Sequence, residues 1–397
     1  MVWEWNYPYN SPVRLHTGVH MASPRKSAPP SPTLQRPPAE ILHADQLARL
    51  AGRDGEAPRP PGWQLSLTAA RAFILGDPAL DIAPKIVAPA ASIERMLVTL
   101  ATGRGLMLVG EPGTAKSMLS ELLATAISGV STLTIQGGAS ITEDQIKYSW
   151  NYALLINEGP SPKALVPAPL YHGMRDGKIV RFEEITRAPL EVQDCLLGML
   201  SDRVMAVPEL SGEDGMLYAR DGFNIIATAN TRDRGVNEMS AALKRRFDFE
   251  TVFPILDFAR ELALVEEASA RLLAKSGIPV TVPPPVLELL VTTFRDLRGA
   301  ANNTDKKEGG EGNGMDRLSA VMSTAEAVNV AHAVGVRAWF LEQREGSPQD
   351  LVDCIAGTVV KDNADDRAKL HRYFEQKAAK RQGAHWRAYY EARHRLP

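Results

Sequence analysis

The chain has 397 residues, 44% hydrophobic and 23% charged, with a formal net charge of −2. That length favours two or three folded units and the apolar content supplies a sizeable core, while near-neutral charge gives no general reason to bind nucleic acid, which needs clustered Lys and Arg. Cys195 and Cys354 are too few for a disulfide framework and suit a reducing compartment. No apolar run approaches the ~18 residues of a membrane helix, and the start MVWEWNYPYN lacks the basic-then-apolar pattern of a secretory signal. A cytoplasmic protein without membrane insertion is expected.

Residues 1–61 read as a disordered, proline-rich tail, because SPRKSAPPSPTLQRPP and EAPRPPG cannot bury enough apolar surface to offset ordering. Trp3, Trp5, Tyr7 and Tyr9 form an aromatic cluster that has the surface to dock, but an untethered start is the more usual behaviour of a terminus. Residues 62–254 alternate strand and helix, the pattern of an α/β sheet with helices on both faces. Leu106–Val109 is a short buried strand. It enters a glycine-containing loop and then a helix in which Met118, Leu119, Leu122, Leu123, Ala126 and Ile127 keep helical spacing up to Gly129. Further strands are expected at Thr132–Gln136, Ile179–Phe182, Phe223–Ala229 and Phe247–Phe253, with Pro189 in the first turn of a helix between the middle two. Residues 255–397 read as a small all-helical domain with helices near 256–276, 285–298, 316–343, 348–360 and 363–381, interrupted by the loop GAANNTDKKEGGEGNG.

Four motifs carry chemistry. Gly110-Glu111-Pro112-Gly113-Thr114-Ala115-Lys116-Ser117 matches the phosphate-loop pattern, except that Ala115 replaces its second glycine; Met118 follows in the helix. Successive backbone N–H groups and the positive end of the helix make an anion cradle, to which Lys116 adds a cation and Ser117 a hydroxyl for Mg²⁺. About 70 residues on, the strand Ile179–Phe182 ends in Glu183 and Glu184. Adjacent strand residues point to opposite faces, so one carboxylate can serve the metal's water shell while the other polarises water. The strand Phe223–Ala229 delivers Asn230 at its tip, where a neutral amide can orient water, although a turn-forming Asn would read the same in isolation. Lys244-Arg245-Arg246 precedes the last strand and is either a solvated loop or a presented arginine.

With these motifs in order, the chain resembles the MoxR-type AAA+ ATPases, and the phrase IIATANTRDRGVNEMS resembles a YehL-like branch. The signatures are GEPGTAKS, EEITRAP and LKRRFD, and the resemblance spans about residues 64–340. It implies a P-loop core with strand order 5-1-4-3-2, a helical lid, and assembly into a ring, most simply a hexamer. It implies ATP and Mg²⁺ as cofactors: Gly110 to Met118 around the nucleotide, Ser117 and Glu183 toward the metal, Glu184 as catalytic glutamate, Asn230 as sensor, and Arg246, with Arg245 its rival, as the arginine finger. Glu183 stands where the family has aspartate. The lid arginine is not found either, Ala325 occupying the place where it is sought, with Arg317 nearby. Two extra hairpins are implied, in which Lys147, Tyr148, Trp150 and Tyr152 are candidate pore contacts or local packing residues. The resemblance further implies chaperone-like remodelling of a client protein, alongside a partner with a von Willebrand factor A domain. The rival reading is an ATP- or GTP-driven nucleic-acid motor or restriction subunit, to which the C-terminal mixture of cations with Trp386, Tyr389 and Tyr390 would contribute base stacking; a docking helix explains the same residues.

Overall fold

The computed structural model describes residues 34–230, 237–302, 322–361 and 363–396. Four helices come first: α1 (Ala39–Leu42), α2 (Ala44–Asp54), α3 (Leu67–Leu75) and α4 (Ala90–Ala101). They lead into β1 (Gly105–Gly110), α5 (Lys116–Ser128) and β2 (Thr134–Gln136). An insertion follows, made of α6 (Glu143–Ile146), β3 (Tyr148–Trp150), α7 (Tyr152–Glu158) and β4 (Leu165–Pro167). Next come α8 (Pro169–Asp176), β5 (Ile179–Glu183), α9 (Leu190–Asp194), α10 (Leu196–Ser201), the hairpin β6 (Val204–Ala206) and β7 (Met216–Tyr218), then β8 (Asn224–Asn230), α11 (Ala241–Lys244) and β9 (Phe247–Thr251). The remainder is helical: α12 (Phe258–Lys275), α13 (Pro284–Asn302), α14 (Thr324–Glu342), α15 (Pro348–Val359), α16 (Ala364–Gln376) and α17 (Ala384–Glu391).

Five strands pair in parallel in the order β2-β5-β8-β1-β9. Numbering these five by their place in the chain and reading from the β9 edge gives 5-1-4-3-2, the expected topology. The pleat of β1 explains how both faces are covered. Leu106 and Leu108 point into a core shared with α3, α4 and α5, while Met107 points to the other side, with Val180, Phe182 and the helices α8 to α10. The helices after β9 have a core of their own around Phe294, Tyr373, Phe374 and Tyr389.

The tail expected over residues 1–61 needs correction in its second part. α2 is a regular helix whose Leu50 is buried, and Ala39 of α1 is buried as well. Glu40 accepts from the Ser131 backbone and hydroxyl, which ties α1 to the turn after α5. The prolines that suggested disorder instead bracket the two helices, Pro37 and Pro38 in front and Pro58, Pro60 and Pro61 behind; proline stops a helix without unfolding its neighbours. Trp3, Trp5, Tyr7 and Tyr9 lie outside the described residues, as does Arg317. Pro189 is also displaced by one position: it is the N-cap of α9 rather than part of its first turn.

The C-terminal aromatics pack on the helical core, Tyr389 buried and Trp386 and Tyr390 partly so. Tyr389 is fully buried and packs edge-on against Trp386 and tilted against Phe374. Arg381 lies over the Trp386 ring and Arg393 over that of Tyr390, the latter arginine also bonding Glu375. Trp386 and Tyr390 are thus each covered by an arginine, and Tyr389 packs into the helical core.

The turn from β1 into α5 carries a strained residue. Ala115, the N-cap of α5, adopts φ 67° and ψ 23° in the left-handed region. A side chain there costs about 1–2 kcal/mol that glycine avoids, partly offset by the roughly 0.5–1 kcal/mol that glycine loses through chain entropy. Replacing Ala115 by Gly is therefore expected to leave the protein as stable or up to about 1 kcal/mol more stable. Denaturant titration checks this, and a clear loss of stability would mean that the Ala115 methyl contributes more by packing than its backbone costs.

Candidate functional site

The C-terminal ends of three adjacent strands bring the expected residues together. β1 ends at Gly110, opposite Asn230 at the tip of β8, and β5, on the other side of β8, ends at Glu183. The phosphate loop therefore starts beside the candidate sensor, one strand away from the paired carboxylates. No sequence separation announces this meeting; the parallel crossovers make it.

Within the loop, Lys116 is buried and its ammonium donates to the carbonyls of Gly110 (3.1 Å) and Glu111 (2.8 Å). Thr114 closes the turn through its hydroxyl on the Glu111 carbonyl. Met118 is exposed on α5. Gly113 has no room for a side chain: a Cβ would sit 2.1 Å from that of Ser323. Ser323 is the N-cap of α14, in a capping box with Glu326. The start of a lid helix thus lies directly on the phosphate loop. The next residue, Thr324, donates to the buried Glu261, which also takes Arg295 and Arg298. Arg298 additionally donates to the Met322 carbonyl. Ala325 is exposed, so the place expected for a lid arginine holds none, and the hydroxyl side chain of Ser323 meets the loop instead.

Glu183 is the most heavily bonded residue of the site. Its Oε2 accepts from Ser117 Oγ (2.8 Å) and Thr228 Oγ1 (2.8 Å), and its Oε1 from Ser120 Oγ (2.6 Å) and Arg181 Nη2 (2.8 Å). Burial alone would raise the Glu183 carboxyl, but the Ser120 hydroxyl, the Arg181 charge and the Ser117 and Thr228 hydroxyls outweigh it and hold the group below the usual carboxylate range. Such a carboxylate beside a serine hydroxyl is the hard-oxygen donor set that Mg²⁺ takes. Glu184 differs in every respect. It sits half-exposed, with its backbone in the left-handed region (φ 54°, ψ 45°), turning the chain out of β5 into a short 3₁₀ turn. Its N–H donates to Thr228 Oγ1 (2.9 Å) and its carboxylate pairs with Arg187 Nε at 3.0 Å. A non-glycine residue held there is the kind of strain that collects at functional sites. Gly137 permits it, since a Cβ at that position would lie 2.1 Å from the Glu184 carbonyl. The expected strand alternation is not what parts the two acids: Glu183 ends β5, Glu184 lies beyond it in the left-handed turn, and their environments differ accordingly.

The structure does not bring Arg245 and Arg246 to this site. The Arg246 carbonyl accepts from the Gly105 N–H, and Phe247 pairs with Gly105, at the start of β1. The phosphate loop follows the other end of that strand, roughly 17 Å away at the usual strand rise. Arg246 Nε donates to Ser201 Oγ, whereas the Arg245 side chain is exposed. Arg104 fixes the segment by donating to the carbonyls of Arg245 and Phe247.

Among the insertion residues, Tyr148 packs edge-on against Trp150 and Tyr171 and donates to Glu209 beside the second hairpin, and Lys147 pairs with Glu143. Tyr152 is 70% exposed, and Ile156, one turn along α7, is 86% exposed. The residues that sequence reasoning missed are Arg181, Ser120, Thr228, Arg187 and Ser323. Arg181 left one signal, a cation inside an otherwise apolar strand; the others are small or polar residues whose roles exist only by contact.

Two family models match the chain in succession. Residues 105–247 match the AAA domain of the dynein-related subfamily, and residues 259–397 match the YehL-like AAA+ ATPase C-terminal domain. The YehL protein of Escherichia coli K12 is 75% identical over 370 residues, covering 93% of this chain and 100% of its own length. A Staphylococcus haemolyticus protein is 31% identical over 145 residues, covering 36% of this chain and 53% of its own length. Among solved structures, NtrX from Brucella abortus in complex with ATP is 13% identical, with a TM-score of 0.45 over 76% of this chain and 64% of its own. With both domains matched in order and the relative from Escherichia coli covered end to end, the chain belongs to the YehL family of AAA+ ATPases.

Proposed function

We propose that the chain hydrolyses Mg²⁺-ATP at the ends of β1, β5 and β8, and that it works in a ring, most simply a hexamer, to remodel or mature a client protein, with a partner carrying a von Willebrand factor A domain. One observation carries the catalytic part: Lys116, Ser117, Glu183, Glu184 and Asn230, scattered over more than a hundred residues of sequence, converge on three neighbouring strand ends. Lys116 trades its carbonyl partners for the β- and γ-phosphates. Ser117 and Glu183 would hold Mg²⁺, which when bound neutralises charge on the phosphates. Glu184 accepts a proton from the attacking water, which Asn230 orients.

The ring rests on the polarity of the sheet. Arg245 and Arg246 stand at the end opposite the loop, so a finger role needs another subunit's nucleotide. Client remodelling is supported by the insertions, where Tyr152 and Ile156 on α7, and Met216 and Tyr218 on β7, expose apolar surface. Exposed apolar surface of that kind suits a protein partner better than a phosphate backbone.

Three outcomes follow. Glu184→Gln should bind ATP with Mg²⁺ as the native protein does, yet lose turnover by about 10²- to 10⁴-fold, the usual worth of a general base; binding titration and steady-state ATPase assays read the two effects. Should Glu183→Gln trap ATP while Glu184→Gln hydrolyses it normally, the two roles are exchanged.

ATPase activity should be indifferent to single-stranded and duplex DNA at low and moderate salt, and should rise with a protein partner. Severalfold stimulation by DNA that falls steeply with salt would favour the motor reading instead, because each phosphate contact releases counterions.

Specific activity should rise with protein concentration as subunits assemble. Arg246→Ala and Lys116→Ala should each be inactive alone and partly active when mixed, since some interfaces then pair an intact pocket with an intact arginine. No recovery in rings shown to be mixed, or full activity of Arg246→Ala alone, would remove Arg246 from that role and leave Arg245, the more exposed of the two, to the same mixing experiment.

A further inference from the structure

We propose that Arg181 is a positioning residue: its guanidinium takes up the extra length of Glu183 and turns the carboxylate so that Oε2 faces Ser117, where the metal of bound nucleotide would sit. The inference rests on the Mg²⁺-ATPase reading above and assigns the device that lets a glutamate stand in an aspartate's place.

Arg181 and Glu183 are two apart on β5, so their side chains leave the same face of the strand. Both are buried, at 8% and 5% exposure. A guanidinium has five N–H donors in a fixed plane, and here each has a partner. Nε donates to Ser120 Oγ (2.9 Å); Nη1 donates to the Ser131 carbonyl (3.1 Å) and Thr134 Oγ1 (3.4 Å); Nη2 donates to the Ser117 carbonyl (2.9 Å) and Glu183 Oε1 (2.8 Å). Arg181 thereby joins the first turn of α5, the entry to β2 and the end of β5. It is enclosed by protein on all sides of its fork and presents no donor to a ligand.

The partners of Glu183 divide cleanly between its oxygens. Oε1 takes Arg181 and Ser120, and Oε2 takes Ser117 and Thr228. Arg181 and Ser120 thus anchor one oxygen at the back of the site, which leaves the other directed at the Ser117 hydroxyl. Without the cation, Oε1 would keep a single neutral partner, and only hydroxyl donors would hold the longer side chain in its orientation. An aspartate would be too short to reach Arg181 and Ser117 together, and a buried guanidinium would then be left without its counter-charge, a costly arrangement. Lysine keeps the charge but offers neither the plane nor the five directions.

The test measures how Mg²⁺ tightens ATP binding, using calorimetric titration with ATP in EDTA and at graded Mg²⁺, alongside thermal unfolding of the nucleotide-free protein. Arg181→Lys is expected to bind ATP in EDTA within about twofold of the native protein. It should need about tenfold more Mg²⁺ for the same tightening, the scale of one lost hydrogen bond to a charged group. An unchanged Mg²⁺ response overturns the proposal, as does a parallel loss of binding in EDTA. Glu183→Asp and the double variant Arg181→Met/Glu183→Asp decide the matter independently of how Arg181→Lys folds. Removing the stranded cation should return part of the Mg²⁺ response that Glu183→Asp loses, and a double variant no better than Glu183→Asp overturns the assignment. A native protein whose ATP binding ignores Mg²⁺ would refute the site reading itself, a result separate from any difference between variants.

Discussion

A buried carboxylate with four donors around it organises this molecule's chemistry. Glu183 gathers Ser117 and Ser120 from α5, Thr228 from β8 and Arg181 from its own strand. Left unpaired in that position, the charge would cost several kcal/mol. The four bonds therefore oblige the first turn of α5 to sit against β5 and β8 at a fixed height. That height sets where Lys116, one residue before Ser117, emerges from the loop. The same Thr228 hydroxyl that donates to Glu183 accepts the Glu184 N–H, so the turn that presents the second acid is registered to the first. Position in the site is inherited from one residue's need for partners.

The direction of the sheet does the rest. Because all five strands are parallel, every loop that follows a strand falls at one end, and the segments that precede strands fall at the other. Loop and carboxylates follow strands, whereas Arg245 and Arg246 precede one. The separation follows from topology and requires no special geometry. On the proposed reading it also explains why a lone subunit would be a poor enzyme: the positive charge that stabilises the transferring phosphoryl group must come from a neighbour.

Among the described residues, the lid meets the phosphate loop through the N-cap of α14. Ser323 rests on Gly113 with no room for a Cβ between them, and the buried Glu261, gripped by Arg295, Arg298 and Thr324, fixes the helix start that makes this contact. Movement of that helix would be felt at the phosphate loop directly. The C-terminal helix uses its aromatics to complete the lid's core, with Tyr389 buried between Trp386 and Phe374. Arg381 and Arg393 cover the rings of Trp386 and Tyr390 and bond the carboxylates of Asp296 and Glu375.

The strands and most of the helices were legible because apolar periodicity and proline or glycine stops are local properties of the chain. The phosphate loop and the paired acids were legible because each is a short contiguous string with a chemical reason for its spacing. Even the arginines before β9 could be named. Helices α1 and α2 were hidden, since a composition window cannot separate prolines that prevent folding from prolines that border a folded piece. Arg181 was missed, although a cation inside an apolar strand is a signal in the sequence. Its meaning waited on Ser117, Ser120, Ser131 and Thr134, residues 47 to 64 positions away that the parallel crossovers bring alongside. The sequence showed Ala325 where a lid arginine is sought, but only the fold puts Ser323 on Gly113. Sequence by itself determined the elements and the reactive groups, because these depend on neighbours along the chain. The tertiary structure decided which groups share a site and which stand at its far side, because that depends on the order in which strands are laid into the sheet.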